Sequence, residues 1–181
     1  EAVRFSPGRL TTEEEVDARI KAIGEQISKD YEGKEVHLIC VLKGGSFFMC
    51  ELAKRITIPV SMDFMAVGSY GDNTTSSGVL KIKKDLDESI EGKEVLIVED
   101  IIDSGNTLYK LKGMLEARNP KSLEVCTLLD KPDRREVDVD VKYTCFSVPD
   151  EFVVGYGLDY AQLHRNLPYI GVLKRSVYTE E

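Results

Sequence analysis

Between residues 95 and 107 an apolar run gives way to a dense set of groups able to do chemistry. Val95-Leu96-Ile97-Val98 leads into the adjacent acids Glu99 and Asp100, and then into Asp103-Ser104-Gly105-Asn106-Thr107. This is the pattern of a buried strand that ends in carboxylates and turns, through an acid, a hydroxyl and a glycine, into a helix. Successive backbone N–H groups at such a turn, reinforced by the helix dipole, make an anion cradle that the hydroxyls of Ser104 and Thr107 can complete. A phosphate monoester fits it. Singly, Ser104 reads as a helix cap and Glu99 and Asp100 as solvated residues at a strand end; together they point to a site.

Four other segments carry usable groups. Leu42-Lys43-Gly44-Gly45 is a glycine turn after an apolar run, which alone reads as a plain strand-to-helix connection. Leu128-Leu129-Asp130-Lys131 ends a strand on a cation, and Lys131 alone is a surface lysine before Pro132. In Phe152-Val153-Val154-Gly155-Tyr156-Gly157-Leu158-Asp159-Tyr160 an aromatic face could stack on a flat ring while neighbouring main-chain groups read its edge. Packing in a buried strand is the competing reading for Phe152, as capping is for Asp159 and a solvated position for Arg165. Residues 69–78, Ser69-Tyr70 foremost, are almost all polar and read as a long, mobile hairpin loop.

The elements that must position these groups are legible from periodicity. Thr12-Glu13-Glu14-Glu15 fits a capping box, and Val16, Ile20, Ile23 and Ile27 then form one apolar helix face. Val36–Leu42, Glu94–Val98 and Leu123–Leu129 are short, apolar runs suited to strands covered on both faces. Phe48, Leu52 and Ile56 mark a helix after the first, and Leu108, Leu111 and Leu115 one after the second. Strands alternating with helices predict an α/β fold with a parallel central sheet flanked by helices, and ligands at the carboxyl ends of its strands.

The chain has 181 residues, which favours one domain over residues 1–181. A hydrophobic share of 42% and a charged share of 31% exclude collagenous and disordered classes. The net charge of -8 has the wrong sign for a nucleic-acid binder, and no apolar stretch approaches the length of a membrane span. Cys40, Cys50, Cys126 and Cys145 form no CxxC and join no histidine, so core thiols in a reducing, cytoplasmic setting are expected, and zinc is not. Glu1 stands where an initiator methionine would, as expected of a numbering that begins inside a natural product.

The segment from Val95 to Thr107 resembles the phosphoribosyl-pyrophosphate loop of the type I phosphoribosyltransferases, and residues 10 to 176 resemble the hypoxanthine-guanine phosphoribosyltransferase family. The resemblance implies that fold, with a small hood formed by the chain ends. It also implies transfer of phosphoribosyl from 5-phosphoribosyl 1-pyrophosphate to a 6-oxopurine, with Mg2+ as cofactor, in a homodimer or homotetramer. By resemblance Glu99 and Asp100 hold the ribose hydroxyls near magnesium, Asp103 is the proton acceptor facing N7 of the purine, and Ser104, Gly105, Asn106 and Thr107 cradle the 5′-phosphate. Asn106 stands where many relatives carry lysine. Lys43 and Gly44 match the pyrophosphate loop, in which the Lys–Gly peptide can be cis, and Arg165 matches an arginine that contacts pyrophosphate. Lys131 corresponds to the lysine on the exocyclic oxygen, Phe152 and Val153 to base contacts, Asp159 to a magnesium-associated carboxylate, and Ser69-Tyr70 to the lid. The resemblance leaves two rivals: a regulator that keeps the cradle as a sensor and binds DNA or RNA, and a transferase for orotate, uracil or adenine.

Overall fold

Thr12 opens the first helix, α1 (Glu13–Asp30), with a complete capping box: its hydroxyl accepts from Glu15 N at 3.1 Å while Glu15 reaches back to Thr12 N. Val16, Ile20, Ile23 and Ile27 are all buried on one face of α1, as their spacing requires. These elements belong to a computed structural model that describes residues 10–69 and 79–179.

Six strands make the central sheet: β1 (Val36–Val41), β2 (Val60–Ser69), β3 (Leu80–Lys84), β4 (Glu94–Ile102), β5 (Ser122–Asp130) and β6 (Tyr143–Ser147). Their order is β3-β2-β1-β4-β5-β6, parallel throughout except for antiparallel β3 at one edge. β1, β4 and β5 are the near-continuous apolar runs of the sequence, and all three have neighbours on both sides. β4 runs four residues past Val98 and so carries Glu99 and Asp100 inside the strand.

Two apolar clusters cover the two faces. One joins α1 and α2 (Ser46–Arg55) to Leu38, Cys40, Leu96 and Val98; the other joins α3 (Asn106–Glu116) to Ile39, Val95, Ile97 and Val125. Phe48 and Leu52 are fully buried in α2, whereas Ile56 caps its end. Cys40, Cys126 and Cys145 are buried thiols; Cys50, expected in the core, is exposed because it lies on the outer side of α2.

The small hood is a two-stranded antiparallel ribbon, β7 (Val153–Val154) with β8 (Gly171–Val172). The amino-terminal segment joins it, since Leu10 N and Thr11 N both donate to Ile170 O at 3.1 Å. A short final helix, α4 (Arg175–Tyr178), follows β8. Among the described residues no helix is long and apolar enough to cross a membrane.

Candidate active site

The carboxyl ends of β1, β4 and β5 lie side by side, so Lys43-Gly44, the acids of β4 and Lys131 are neighbours because their strands are. Neighbouring residues of a strand face opposite sides of the sheet. Glu99 accordingly lines a cleft of about 220 Å³ with Ser104, Gly105 and Thr107, while Asp100 lines another of about 500 Å³ with Lys131, Phe152, Val153 and Asp159. Ile101 and Asp103 line both. The expected phosphate cradle and the expected base contacts therefore meet at Asp103.

The turn into α3 has Gly105 as its cap residue, at φ 85°, with no side-chain cap. Ser104 thus does not cap the helix in the ordinary way; its hydroxyl accepts from Asn106 N at 3.3 Å. The side chain of Asn106 donates to Glu136 at 2.7 Å and takes no part in lining the small cleft, which leaves its main chain as the part able to serve a ligand.

The cis peptide lies at Leu42–Lys43, one bond earlier than the resemblance implies. Gly44 packs against Asp100 so closely that a Cβ there would collide with the Asp100 carboxylate. On its other side Gly157, at φ 99°, presses on the Gly44 carbonyl, and a Cβ on Gly157 would collide with it. Two glycines are therefore what lets the first loop sit between the acid strand and the hood.

Arg165 is fixed from within the hood. It donates to Gly157 O at 2.6 Å, meets Asp159 at 3.3 Å and shares Gln162 with Lys43, each at 3.2 Å from Gln162 Oε1. Lys43, Asp159 and Arg165 are thus brought together, through a glutamine that the sequence does not mark. Its backbone lies in a run of left-handed residues, with φ 50° at Ala161 and 68° at Gln162.

In the larger cleft Lys131 is buried, and its N–H donates to Ile102 O at 3.0 Å. Phe152 remains 36% exposed, so packing in a buried strand does not account for it. Asp103 pairs with Arg134 at 2.8 Å, and Arg134 also reaches Asp150 at 3.6 Å. Arg134, Leu158 and Tyr178 line this cleft and were not singled out by sequence. A separate cleft of about 470 Å³, lined by Phe47, Cys50, Tyr156 and Leu167, contains none of the expected site residues.

Glu99 is buried and Asp100 half-buried, contrary to a solvated strand end. Burial first, and then the neighbouring Asp100, push the Glu99 carboxyl well above the usual carboxylate range. Burial pushes Asp100 up to about 6, opposed by backbone N–H donation, including Ile101 N at 2.7 Å, and by Arg165, and reinforced by Asp159. Negative charge is in excess here, and hard oxygen donors with unrelieved charge suit a divalent cation such as Mg2+. Asp100 and Asp159 share a cleft and fit that role together; Glu99, on the other face, does not converge with them. No three acid, histidine or cysteine side chains among the described residues form a ready-made metal cluster. Ser69 ends β2, and Tyr70 lies outside the described residues.

Residues 8–161 match the phosphoribosyl transferase domain, and the chain belongs to that family. Within it, the chain is 55% identical over 164 residues to the hypoxanthine phosphoribosyltransferase of Salmonella typhimurium, covering 90% of this chain and 92% of the relative. It is 50% identical over 171 residues to the hypoxanthine-guanine phosphoribosyltransferase of Streptococcus thermophilus, covering 94% and 95% respectively. The crystal structure of a hypoxanthine phosphoribosyltransferase from Staphylococcus aureus superimposes with a TM-score of 0.92 at 51% identity, over 95% of this chain and 94% of that one.

Proposed function

We propose that the protein is a purine-salvage enzyme that joins hypoxanthine or guanine, through N9, to C1′ of 5-phosphoribosyl 1-pyrophosphate, giving inosine or guanosine 5′-monophosphate and pyrophosphate. The observation that carries this reading is that Asp103 lines both clefts, one with the features of a phosphate cradle and one with those of a purine site.

The turn from Ser104 to Thr107 holds the 5′-phosphate, with the main chain of Gly105 and Asn106 donating. Lys131, at the end of β5, donates to the purine O6; Phe152 stacks on the ring, and the main chain of Val153 reads its edge. Asp103 then faces N7 and takes or stabilises its proton as N9 bonds to C1′. Lys43, Gly44 and Arg165 hold the departing pyrophosphate, and Glu99 and Asp100 hold the ribose hydroxyls. Asp100 and Asp159 would hold a Mg2+ ion, which when bound would supply charge neutralisation to the leaving group. Ser69 and Tyr70 belong to the lid that keeps water from the reacting carbon. The proposal extends to a homodimer or homotetramer and to the cytoplasm, a reducing setting that suits four unpaired cysteines.

A panel of free bases incubated with 5-phosphoribosyl 1-pyrophosphate and Mg2+, read for nucleotide product, tests the reading. Hypoxanthine and guanine should react, and adenine, uracil and orotate should not. Preferential conversion of a pyrimidine would overturn it.

A further inference from the structure

Phe152 sits immediately before β7, a strand of only two residues, with its ring more than a third exposed. A ring so exposed, beside so short a strand, depends on neighbouring side chains to hold the plane that stacking on a base needs. Two other rings supply the missing walls. Tyr178 stacks on Phe152 at 5.1 Å between centroids and 29° between planes, and Tyr160 meets it edge-on at 5.6 Å and 84°.

The backbone ties these three rings into one unit. Leu173 N donates to Phe152 O at 2.7 Å, which fixes the start of the segment leading to α4. The Tyr160 hydroxyl donates to Val177 O at 3.2 Å, which docks α4 itself. Tyr178 also lines the 500 Å³ cleft together with Lys131, Asp103 and Leu158. It lies beyond the residues that match the phosphoribosyl transferase domain, which end at 161.

We propose that Tyr178 is a positioning residue for purine recognition. Its ring holds Phe152 in the plane on which the base stacks, so the carboxyl-terminal turn is part of the base site. This rests on the assignment of the 500 Å³ cleft to a 6-oxopurine. The chemistry it recognises is a flat, apolar heteroaromatic face, and it acts on the base without touching phosphate.

The test uses the full chain with Tyr178→Ala and Tyr178→Phe, measuring kcat and KM for hypoxanthine and for 5-phosphoribosyl 1-pyrophosphate. Tyr178→Ala should raise the hypoxanthine KM roughly two- to tenfold, the size of one aromatic pair. Its kcat and its KM for 5-phosphoribosyl 1-pyrophosphate should stay within about a factor of two, as expected for lost uniform binding of the base. Tyr178→Phe keeps the ring and should match the parent. An unchanged base KM in Tyr178→Ala overturns the proposal, and so does failure of Tyr178→Phe to restore it. A lowered base KM also overturns it, because Tyr178 would then be obstructing the site instead of shaping it. If the parent itself forms no nucleotide from hypoxanthine, it is the assignment of the cleft that fails; an active parent with an unmoved Tyr178→Ala defeats the role of Tyr178 alone.

Discussion

Asp103 and Arg134 form an ion pair, 2.8 Å from Oδ1 to Nε, at the point where the two clefts adjoin. Both side chains are about half exposed, so the pair adds little to stability, within about 1 kcal/mol. Its consequence is orientation: Arg134 holds one oxygen of Asp103, and Arg135 Nε holds the Asp103 carbonyl at 3.3 Å. Arg134→Gln should therefore leave the melting temperature nearly unchanged and lower kcat by roughly three- to tenfold, the scale of a misaligned proton acceptor. Melting curves and steady-state rates check both halves.

The close approach of Gly44 to Asp100 gives a prediction about stability that does not depend on the reaction. Gly44→Ala places a methyl group on the Asp100 carboxylate and should cost about 1–3 kcal/mol by overpacking. In an Asp100→Ala background most of that cost should disappear, since the colliding group is gone. A double-mutant cycle by urea unfolding measures the coupling; additive effects would show that the two do not press on each other.

The raised carboxyl of Asp100 fixes the sign of a pH effect in metal-free protein. Below its unfolded value near 3.8 the group is protonated in both states and contributes nothing. Above about 6 it is ionised in both states, and the folded protein bears the cost of a buried charge, which sets in as pH rises between the two values. Asp100→Asn should therefore stabilise metal-free protein at pH 8, by roughly 3 kcal/mol at most, and the gain should fade toward pH 4. Adding Mg2+ should shrink the difference at pH 8 by relieving the charge in the parent. Thermal melts across pH, with and without Mg2+, read this directly.

For base recognition, Lys131 is buried at the end of β5, its main-chain N–H bonded to Ile102 O, and it lines the 500 Å³ cleft. Lys131→Gln should raise the KM for hypoxanthine by about ten- to a hundredfold, the loss of a charge-assisted hydrogen bond. The KM for 5-phosphoribosyl 1-pyrophosphate should move far less. The reverse pattern would assign Lys131 to phosphate.

Much of this arrangement is legible in the sequence because its parts are contiguous. The strands β1, β4 and β5 announce themselves as apolar runs, and each carries its functional group within a few residues of its end. What stays hidden depends on geometry with no periodic signature. β6, an edge strand with one neighbour, is only five residues long, and its alternation breaks where Cys145 and Phe146 are both buried. Gln162 reaches Lys43 across 119 positions because of left-handed turns at Ala161 and Gln162, residue types that do not advertise such a conformation. Arg134 arrives at Asp103 through a single 3-10 turn, Pro132–Arg134, and Tyr178 stands on a helix of four residues, too short to show a stripe. The division of Glu99 from Asp100 was available from strand alternation alone, once both are known to lie inside β4.

The most direct measurement concerns Asp103, the side chain shared by the two clefts. Asp103→Asn keeps the size and most of the hydrogen bonding of the parent but cannot take a proton, and such assistance contributes about 10²–10⁴-fold. Single-turnover reactions of hypoxanthine with 5-phosphoribosyl 1-pyrophosphate and Mg2+ isolate this step from slow nucleotide release. The expected result is a chemical rate lowered by that range, with the affinity for 5-phosphoribosyl 1-pyrophosphate nearly unchanged. A single-turnover rate equal to the parent's would contradict it and show that the N7 proton leaves by another route.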